Sequence, residues 1–301
     1  MNNDSDILSE IINNEKDDEV KNLEVDLTKQ MNIFQQKKFE EKHWYFKYRI
    51  KALQRLLKGY IIGENCDILD IGVGTGTLSK YLEQFGKVTH IEQDINSIKF
   101  NNSLEITKGI FPWNMALPDK RFDYIVLLNV IEYNDNIKWI LDVSKSLLKP
   151  NGKIILSTLS GKKLSKNDMM YKVKKRYSIE ELTNILNEIN MKVNYYTYFE
   201  SLSLQEQLKE NLNKWFDEEI IYWNELNENN DIIYDYLISK ELPKLGISKI
   251  NNGNQLFLIA ENMSKEDMIN RSIKISKNNK RVGLIDLAID KFAKKIRKNE
   301  Q

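Results

Sequence analysis

A short apolar stretch runs directly into three closely spaced glycines within the segment Ile68–Thr77. The apolar residues predict a buried strand, and the residues from Thr77 onward predict a helix. Glycines in such a turn let the backbone approach a ligand closely, and the N-terminus of the helix attracts negative groups. The segment therefore predicts a strand–turn–helix unit with a ligand at the turn. A tight turn that binds nothing remains the alternative from these residues alone.

Strand-like and helix-like segments alternate on both sides of this turn. Strands are predicted at 67–71, 88–92, 123–129, 153–158, 192–199 and 255–260, and helices at 46–59, 77–85, 137–148 and 178–189. A turn is predicted at 149–152, and Ser178 and Glu181 have the spacing of a capping box. This alternation is typical of a doubly wound α/β sheet that is mostly parallel, with helices on both faces. Ligands of such sheets bind at the carboxyl ends of the strands.

The spacing of charged residues around the turn narrows the ligand class. Glu92 ends the second predicted strand, 20 residues after Gly72. A carboxylate at this position can accept hydrogen bonds from ribose hydroxyls, which indicates an adenosine-containing ligand. A dinucleotide fingerprint would need glycine at position 77, where this chain has threonine. Asp70, directly before the turn, would repel a pyrophosphate but tolerate a cofactor with an ammonium group and a sulfonium.

These segments, taken with motifs further along the chain, resemble the class I S-adenosylmethionine-dependent methyltransferases. The matching motifs are ILDIGVGTG (68–76), VTHIE (88–92), LPDKRFDYI (117–125), NVIEY (129–133) and LKPNG (148–152). The aromatic stretch 41–55 resembles the helix before the first motif in methyltransferases that are often associated with surface-polysaccharide pathways. The resemblance covers residues 40–200 and the last strand. It implies a Rossmann-like sheet of seven strands.

The resemblance also implies residues that bind S-adenosylmethionine. The glycine loop, which is Gly72, Gly74 and the backbone at Val73, would line the methionine part. Asp70 would orient this loop and the ammonium group, and Glu92 would bind the ribose. Arg49 would meet the cofactor carboxylate; a solvated helix arginine is the alternative. The predicted cofactor-binding residues are Arg49, Asp70, Gly72, Val73, Gly74, Glu92, Leu128 and Asn129. Trp44 and Tyr48 either wall the pocket or pack the helix, and packing is the favoured interpretation.

Two departures from the family pattern limit this assignment. Relatives often have an aspartate after the third strand that contacts adenine, but Gly109 is followed by isoleucine, so no polar adenine contact is assigned. Tyr133 replaces a frequent histidine, and Glu132 is interpreted as a structural acid that caps the next helix rather than as a base. His43 and His90, the two histidines, are not assigned a role in catalysis. The sequence therefore names no catalytic residue and no metal ligand.

Charge divides the chain into three predicted parts. Residues 1–26 hold nine acids and two lysines, so residues 1–30 are expected to be mobile. Residues 36–264 are expected to form the methyltransferase domain, with a helical insertion at 202–250. Residues 265–301 form a basic tail, with ten Lys or Arg and three acids between 271 and 301. The overall balance of 45 basic and 44 acidic residues argues against a nucleic-acid partner.

Three segments outside the common fold are candidates for substrate or partner contacts. The five lysines before the Lys175–Arg176 pair suggest an anionic substrate, or alternatively a solvated loop. The aromatic stripe within 202–245 indicates helices that cover the active-site rim or form an oligomer contact. The amphipathic tail 283–298 fits either an anionic membrane surface or docking on the domain. Without a long apolar segment or a signal peptide, we expect a cytoplasmic protein that can lie at the inner face of the membrane.

The leading hypothesis is methyl transfer from S-adenosylmethionine to a small-molecule or glycan acceptor, such as a hydroxyl of a surface-polysaccharide sugar. The second hypothesis is a catalytically silent protein of the same fold that binds or activates a partner. Protein or nucleic-acid methylation comes last, because the chain lacks a basic domain.

Overall fold

The computed structural model describes residues 32–113, 120–165, 168–169, 171–201 and 230–278. Its strands are β1 (Cys66–Ile71), β2 (Gly86–Glu92), β3 (Ile106–Lys108), β4 (Phe122–Leu128), β5 (Leu148–Leu159), β6 (Met191–Phe199) and β7 (Gln255–Asn262). They form one sheet in the order β3-β2-β1-β4-β5-β7-β6. Every neighbouring pair is parallel except the two that involve β7. The predicted doubly wound, mostly parallel sheet of seven strands is confirmed.

Helices cover both faces of this sheet. They are α1 (Ile33–Lys42), α2 (Trp44–Tyr60), α3 (Thr77–Leu82), α4 (Ile95–Phe100), α5 (Ile137–Ser146), α6 (Ile179–Glu188), α7 (Asn230–Lys240) and α8 (Lys265–Asn278). Short 3-10 turns lie at 83–85, 131–133 and 242–244. The capping box predicted at the start of α6 is present, with Ser178 and Glu181 bonded to each other's backbone N–H groups. The capping box fixes the residue at which α6 begins.

The two faces of the central strands carry separate apolar cores, because successive side chains of a strand point to opposite sides. Leu69 and Ile125 belong to the core under α5 and α6. Ile68 and Val126, each one position away, belong to the core under α2. All four side chains are fully buried. Burial on both faces explains why these strands appear as continuous apolar runs in the sequence.

One predicted turn lies inside a strand instead. Residues 149–152 belong to β5, where the pairing with β4 shifts between Phe122 and Tyr124. A Cβ on Gly152 would lie 2.7 Å from the carbonyl oxygen of Phe122, so only glycine fits against the neighbouring strand. The proline and glycine that indicate a turn in the sequence are used to form a bulge.

The last part of the predicted insertion packs on α2. The Tyr48 hydroxyl donates to the carboxylate of Glu241, and Arg55 donates through Nε to the carbonyl of Leu245 at 3.0 Å. Trp44 and Tyr48 are buried in the core below α2, which confirms their interpretation as packing residues.

Several predictions lie outside the described residues. They concern the acidic segment 1–30, the aromatic stripe between 212 and 223, and the amphipathic tail 283–298. The described start of the basic tail is α8, which is held to the sheet by an ion pair of 2.8 Å between Lys192 and Asp267. No helix within the described ranges has the length and apolar character needed to cross a membrane.

Candidate functional site

A cavity of about 430 Å³ opens at the carboxyl ends of β1, β2 and β4. This volume lies within the usual range for small-molecule sites, and the position is the one at which doubly wound sheets bind ligands. All eight residues predicted to bind a cofactor line it, although they come from α2, β1, the glycine loop, β2 and the end of β4. The fold therefore brings the predicted site residues together in one place.

The conformation of the glycine loop after β1 requires residues without a side chain. Gly72 has a φ of 89°, and a Cβ there would lie 2.6 Å from Cγ2 of Val130. Gly74 also has a positive φ, of 54°, but its missing Cβ would meet no atom within 4 Å. Asn101 fixes the loop, since its side-chain amide donates to the carbonyl of Gly74 at 2.8 Å. Gly74 therefore leaves open space in the wall of the cavity.

Glu92 ends β2 and holds three backbone amides. Its Oε2 accepts from the N–H of Gly74 at 2.9 Å, and its Oε1 accepts from the N–H groups of Gln93 and Asp94 at 2.7 and 2.9 Å. The side chain is buried. A carboxylate accepts about four hydrogen bonds, so Glu92 keeps acceptor capacity for a ligand hydroxyl while it fixes the glycine loop.

Asp70 and His90 form a buried pair across β1 and β2. The two residues are register partners, and Nδ1 of His90 lies 2.9 Å from Oδ2 of Asp70. Asp70 lines the cavity and His90 does not. The sequence did not predict this pair, in which the imidazole fixes the orientation of the carboxylate.

Arg49 lies on α2, lines the cavity and is half-buried, so it is not a fully solvated helix arginine. Burial by itself lowers the pKa of its guanidinium, but nearby Tyr45, Glu200, Tyr133 and Glu132 outweigh this and raise it. Arg49 is thus a permanently charged group in a partly desolvated wall.

The end of β4 is fixed by a polar network under the cavity. Asn129 has a φ of 55°, and its side-chain amide donates to Glu132 at 2.8 Å and to Gln255 at 3.0 Å. Glu132 is fully buried and also accepts from the hydroxyl of Thr158 at 3.0 Å. Burial raises the pKa of the Glu132 carboxyl. These contacts hold Asn129 in its strained backbone conformation.

Glu132 is therefore a structural acid, as predicted, but the predicted cap is wrong. The side chain that caps α5 belongs to Asn136, which accepts from the N–H of Trp139. Glu132 does not line the cavity.

The two histidines are held away from the cavity wall. His43 caps α2, where its Nδ1 accepts from the N–H of Tyr45, and burial lowers its pKa to about 4. It is therefore neutral at physiological pH. Neither His43 nor His90 lines the cavity.

A contact that the sequence did not indicate ties α1 to the glycine loop. The carboxylate of Glu40 accepts hydrogen bonds from Thr75 Oγ1 at 2.6 Å and from Thr77 Oγ1 at 2.5 Å. Lys37 donates to Thr77 at 2.6 Å. Gln36 and Glu40 line the cavity, so α1 covers it from the side of the loop. We call this set of contacts the Glu40 latch.

The lysines of 161–175 do not form part of the cavity wall wherever the structure describes them. Lys174 pairs with Asp135, and Lys175 lies 3.1 Å from Glu181 on the surface. The side chains of this segment that do line the cavity are Ser165, Asp168, Tyr171 and Val173. These contacts favour the solvated-loop interpretation of the lysines over an anionic substrate.

The opposite end of the cavity is apolar. Gly109, Ile110 and Phe111 line it, and the N–H of Gly109 donates to the carbonyl of Glu92 at 3.0 Å. Gly109 is followed directly by Ile110 and not by an acid, so apolar side chains and backbone groups line this end of the cavity.

Comparison with known proteins agrees with this geometry. The profile of a family described as "Methyltransferase domain" matches residues 42–211. A ubiquinone biosynthesis O-methyltransferase of Pelagibacter ubique is 28% identical over 137 residues, which are 41% of this chain and 57% of the relative. A mitochondrial protein of the same name from Dictyostelium discoideum is 32% identical over 118 residues, which are 32% of this chain and 36% of the relative. The chain thus spans about half of the length of the first relative and about a third of the second.

The fold is shared with a solved structure of phosphoethanolamine N-methyltransferase 2 from Haemonchus contortus in complex with phosphomonomethylethanolamine and S-adenosylhomocysteine. The superposition has a TM-score of 0.51 and 16% identity, and covers 79% of this chain and 59% of that one. At this identity the likeness concerns the fold alone. The profile match, which covers more than half of the chain, shows the family. The chain belongs to the methyltransferase domain family, within the class I S-adenosylmethionine-dependent methyltransferases.

Proposed function

We propose that the protein transfers a methyl group from S-adenosylmethionine to an oxygen of a small-molecule acceptor, with residues 36–264 as the catalytic unit. The observation that carries the proposal is the convergence of the glycine loop, Glu92 and Asn129 on one cavity at the carboxyl ends of three strands. An oxygen acceptor is supported by the names of the two curated relatives.

The residues of the cavity fit S-adenosylmethionine, whose sulfonium and ammonium groups are positive. The described wall has four carboxylates, those of Glu40, Asp70, Glu92 and Asp168, and two guanidinium groups. An excess of acids favours a cationic ligand. The open space over Gly74 gives room for the methionine part, and Glu92 has acceptor capacity for the ribose.

The protein's own residues bind the two substrates, orient them and exclude water. When bound, S-adenosylmethionine supplies a methyl group that its sulfonium sulfur has already activated. The Glu132–Asn129–Gln255 network holds the end of β4 in one geometry, so that an acceptor is aligned instead of searching many orientations. Such alignment accounts for a large part of the rate of a two-substrate reaction.

The test is binding of S-adenosylmethionine by titration calorimetry to the wild-type protein and to Gly74→Trp. The indole would occupy the open space over the loop, so we expect binding to fall below detection. Gly246→Trp is the matched control, because Gly246 also has a positive φ, of 79°, and open space around it, but lies outside the cavity. Binding of S-adenosylmethionine by Gly74→Trp with wild-type affinity would overturn the site assignment.

The hypothesis of a catalytically silent activator predicts a different result when labelled S-adenosylmethionine is used. Wild-type protein that binds S-adenosylmethionine but transfers no label from it to any acceptor in a cell extract would support that hypothesis. Appearance of a labelled small molecule that depends on intact Gly74 would support the enzyme.

The Glu40 latch leads to a prediction about cofactor exchange. Glu40→Gln removes the ionised acceptor shared by Thr75 and Thr77, so α1 should leave the loop more readily. Hydrogen bonds to a charged group contribute about 1.5–3 kcal/mol each, and glutamine keeps an acceptor oxygen, so only part of this is lost. We therefore expect S-adenosylmethionine to dissociate about 3- to 10-fold faster in stopped-flow experiments. Glu41→Gln, an exposed neighbour on the same helix, is the control. Equal dissociation rates for Glu40→Gln and wild type would show that α1 does not retain the cofactor.

A further inference from the structure

Asp70 is a buried carboxylate that lies one residue before the end of β1 and lines the cavity. On the side of β4 its register partner is Val126, whose fully buried apolar side chain offers no hydrogen bond. On the side of β2 the partner is His90, whose Nδ1 lies 2.9 Å from Oδ2 of Asp70. Within the described part of the chain this is the one hydrogen bond that the Asp70 side chain makes. The orientation of the carboxylate therefore depends on His90.

The proton of this contact belongs to the imidazole. An ionised carboxylate can only accept hydrogen bonds, so Nδ1 of His90 is the donor. The other ring nitrogen, Nε2, is buried and has no hydrogen-bond partner among the described residues. The half-exposed carboxylate of Glu83 lies 3.9 Å from it, which is beyond hydrogen-bond distance. A second proton on Nε2 would be an unpaired buried donor, so the geometry favours a neutral imidazole and leaves the negative charge of Asp70 intact.

The contact with His90 uses one of the two oxygens of the Asp70 carboxylate. The other oxygen, Oδ1, makes no hydrogen bond to the described residues. It is not among their sealed polar atoms either, so it is open to the cavity that Asp70 lines. Because the χ2 angle of an aspartate is broad and roughly two-fold, the bond to Oδ2 decides which way Oδ1 points. The pair therefore presents a negatively charged oxygen to the cavity in a fixed direction.

An oxygen of this kind recognises a cation. A buried carboxylate repels anionic groups of a ligand, whereas its hydrogen bonds with a positively charged donor are short and strong. S-adenosylmethionine carries its ammonium group on the methionine part, for which the open space over Gly74 gives room. Asp70 lies four residues before Gly74, directly before the glycine loop. The ammonium group is thus the part of the cofactor that Oδ1 of Asp70 fits.

We propose that His90 is a positioning residue for the recognition of this ammonium group. The inference rests on the proposed function and adds to it a residue that does not itself line the cavity. His90 holds Oδ2 of Asp70, and Oδ1 thereby faces the amino group. Without the Nδ1 donor the carboxylate turns freely, and burial favours its neutral form, which attracts an ammonium group much less.

The test is titration calorimetry on the full chain with S-adenosylhomocysteine and with its deamino analogue, in which hydrogen replaces the amino group. His90→Leu removes the donor and should weaken the binding of S-adenosylhomocysteine by about 10-fold. Binding of the deamino analogue should stay within about threefold of wild type. Since both ligands are measured on one preparation, a smaller folded fraction lowers both binding stoichiometries but leaves the ratio of the two affinities unchanged.

His90→Asn is the matched variant, because asparagine is close to leucine in size but carries a donor. Its amide nitrogen is as many bonds from Cβ as Nδ1 of histidine, so it should restore most of the preference for S-adenosylhomocysteine. Glu83→Gln is the control on the side of Nε2 and should bind both ligands like wild type. In an Asp70→Asn background His90→Leu should have no further effect on the ratio, because His90 acts through Asp70.

Three results would overturn the inference. They are equal weakening of both ligands in His90→Leu, a His90→Asn variant that binds no better than His90→Leu, and a Glu83→Gln variant that loses the preference. A wild type that binds both ligands with the same affinity would also overturn it, while leaving the proposed function intact. Failure of the wild type to bind either S-adenosylmethionine or S-adenosylhomocysteine would instead overturn the proposed function itself.

Discussion

Replacing Glu92 with alanine should weaken the binding of S-adenosylmethionine by at least about 100-fold. The carboxylate is expected to accept a hydrogen bond from the ribose, and it also holds the N–H of Gly74 at 2.9 Å. Since hydrogen bonds to a charged group contribute about 1.5–3 kcal/mol each, losing the ribose contact and loosening the loop together give a loss of about 3 kcal/mol. That corresponds to roughly two orders of magnitude in Kd.

Titration calorimetry on three proteins checks this expectation. Glu92→Gln keeps an acceptor oxygen but loses the charge, so its affinity should lie between those of wild type and Glu92→Ala. Glu105→Ala, an exposed acid close to β3, should bind like wild type. If Glu92→Ala bound S-adenosylmethionine within about threefold of wild type, Glu92 would serve only the loop and the ribose would be held elsewhere.

The parts of the fold that the sequence predicted are those fixed by local patterns. Apolar runs such as 123–129 identify strands because both of their faces are buried. The capping box marks the start of a helix with a motif of only four residues, from Ser178 to Glu181. The glycine loop is equally local, since its backbone geometry depends on which positions lack a side chain. Seven of the eight predicted cofactor residues reached one cavity because the carboxyl ends of parallel strands meet at one edge, and the eighth, Arg49, comes from α2.

The parts that were not predicted depend on pairs of residues far apart in the chain. Glu40 meets Thr75 across 35 positions, and Tyr48 meets Glu241 across 193. Nothing in the neighbourhood of either residue indicates its partner. The bulge in β5 was missed for a different reason: proline and glycine are typical of both turns and bulges, and only the neighbouring strand decides between them.

A buried acid at the end of β6 provides the most sensitive test of the electrostatics under the site. Glu200 is 1% exposed and has a φ of 57°, and its N–H donates to the carboxylate of Glu241 at 2.7 Å. Burial raises the pKa of Glu200 to about 8, against the opposing effect of Arg49 from α2 and with support from Glu241 after α7. Tyr45 on α2 and Arg176 between β5 and α6 also lower the pKa of Glu200, but they do not restore its ordinary value.

This shift predicts that the protein loses stability as pH rises from 5 to 8. In the unfolded chain Glu200 loses its proton near its ordinary value of 4.5, whereas the folded protein retains it up to about pH 8. Between these values the folded state binds more protons, so the free energy of unfolding falls as pH rises. At about 1.4 kcal/mol per unit, the loss from this single group is roughly 4 kcal/mol at most.

Glu200→Gln removes the titrating group and keeps the shape of the side chain, so it should flatten this part of the profile. The measurement is urea unfolding at pH 5, 6, 7 and 8 for wild type, Glu200→Gln and the exposed control Glu64→Gln. The variant should gain stability over wild type as pH rises, with the largest gain at pH 8. Parallel profiles for wild type and Glu200→Gln would mean that Glu200 is ionised throughout, paired with Arg49. Glu200 would then already neutralise the charge of Arg49, and Arg49 would be a weaker partner for the carboxylate of S-adenosylmethionine.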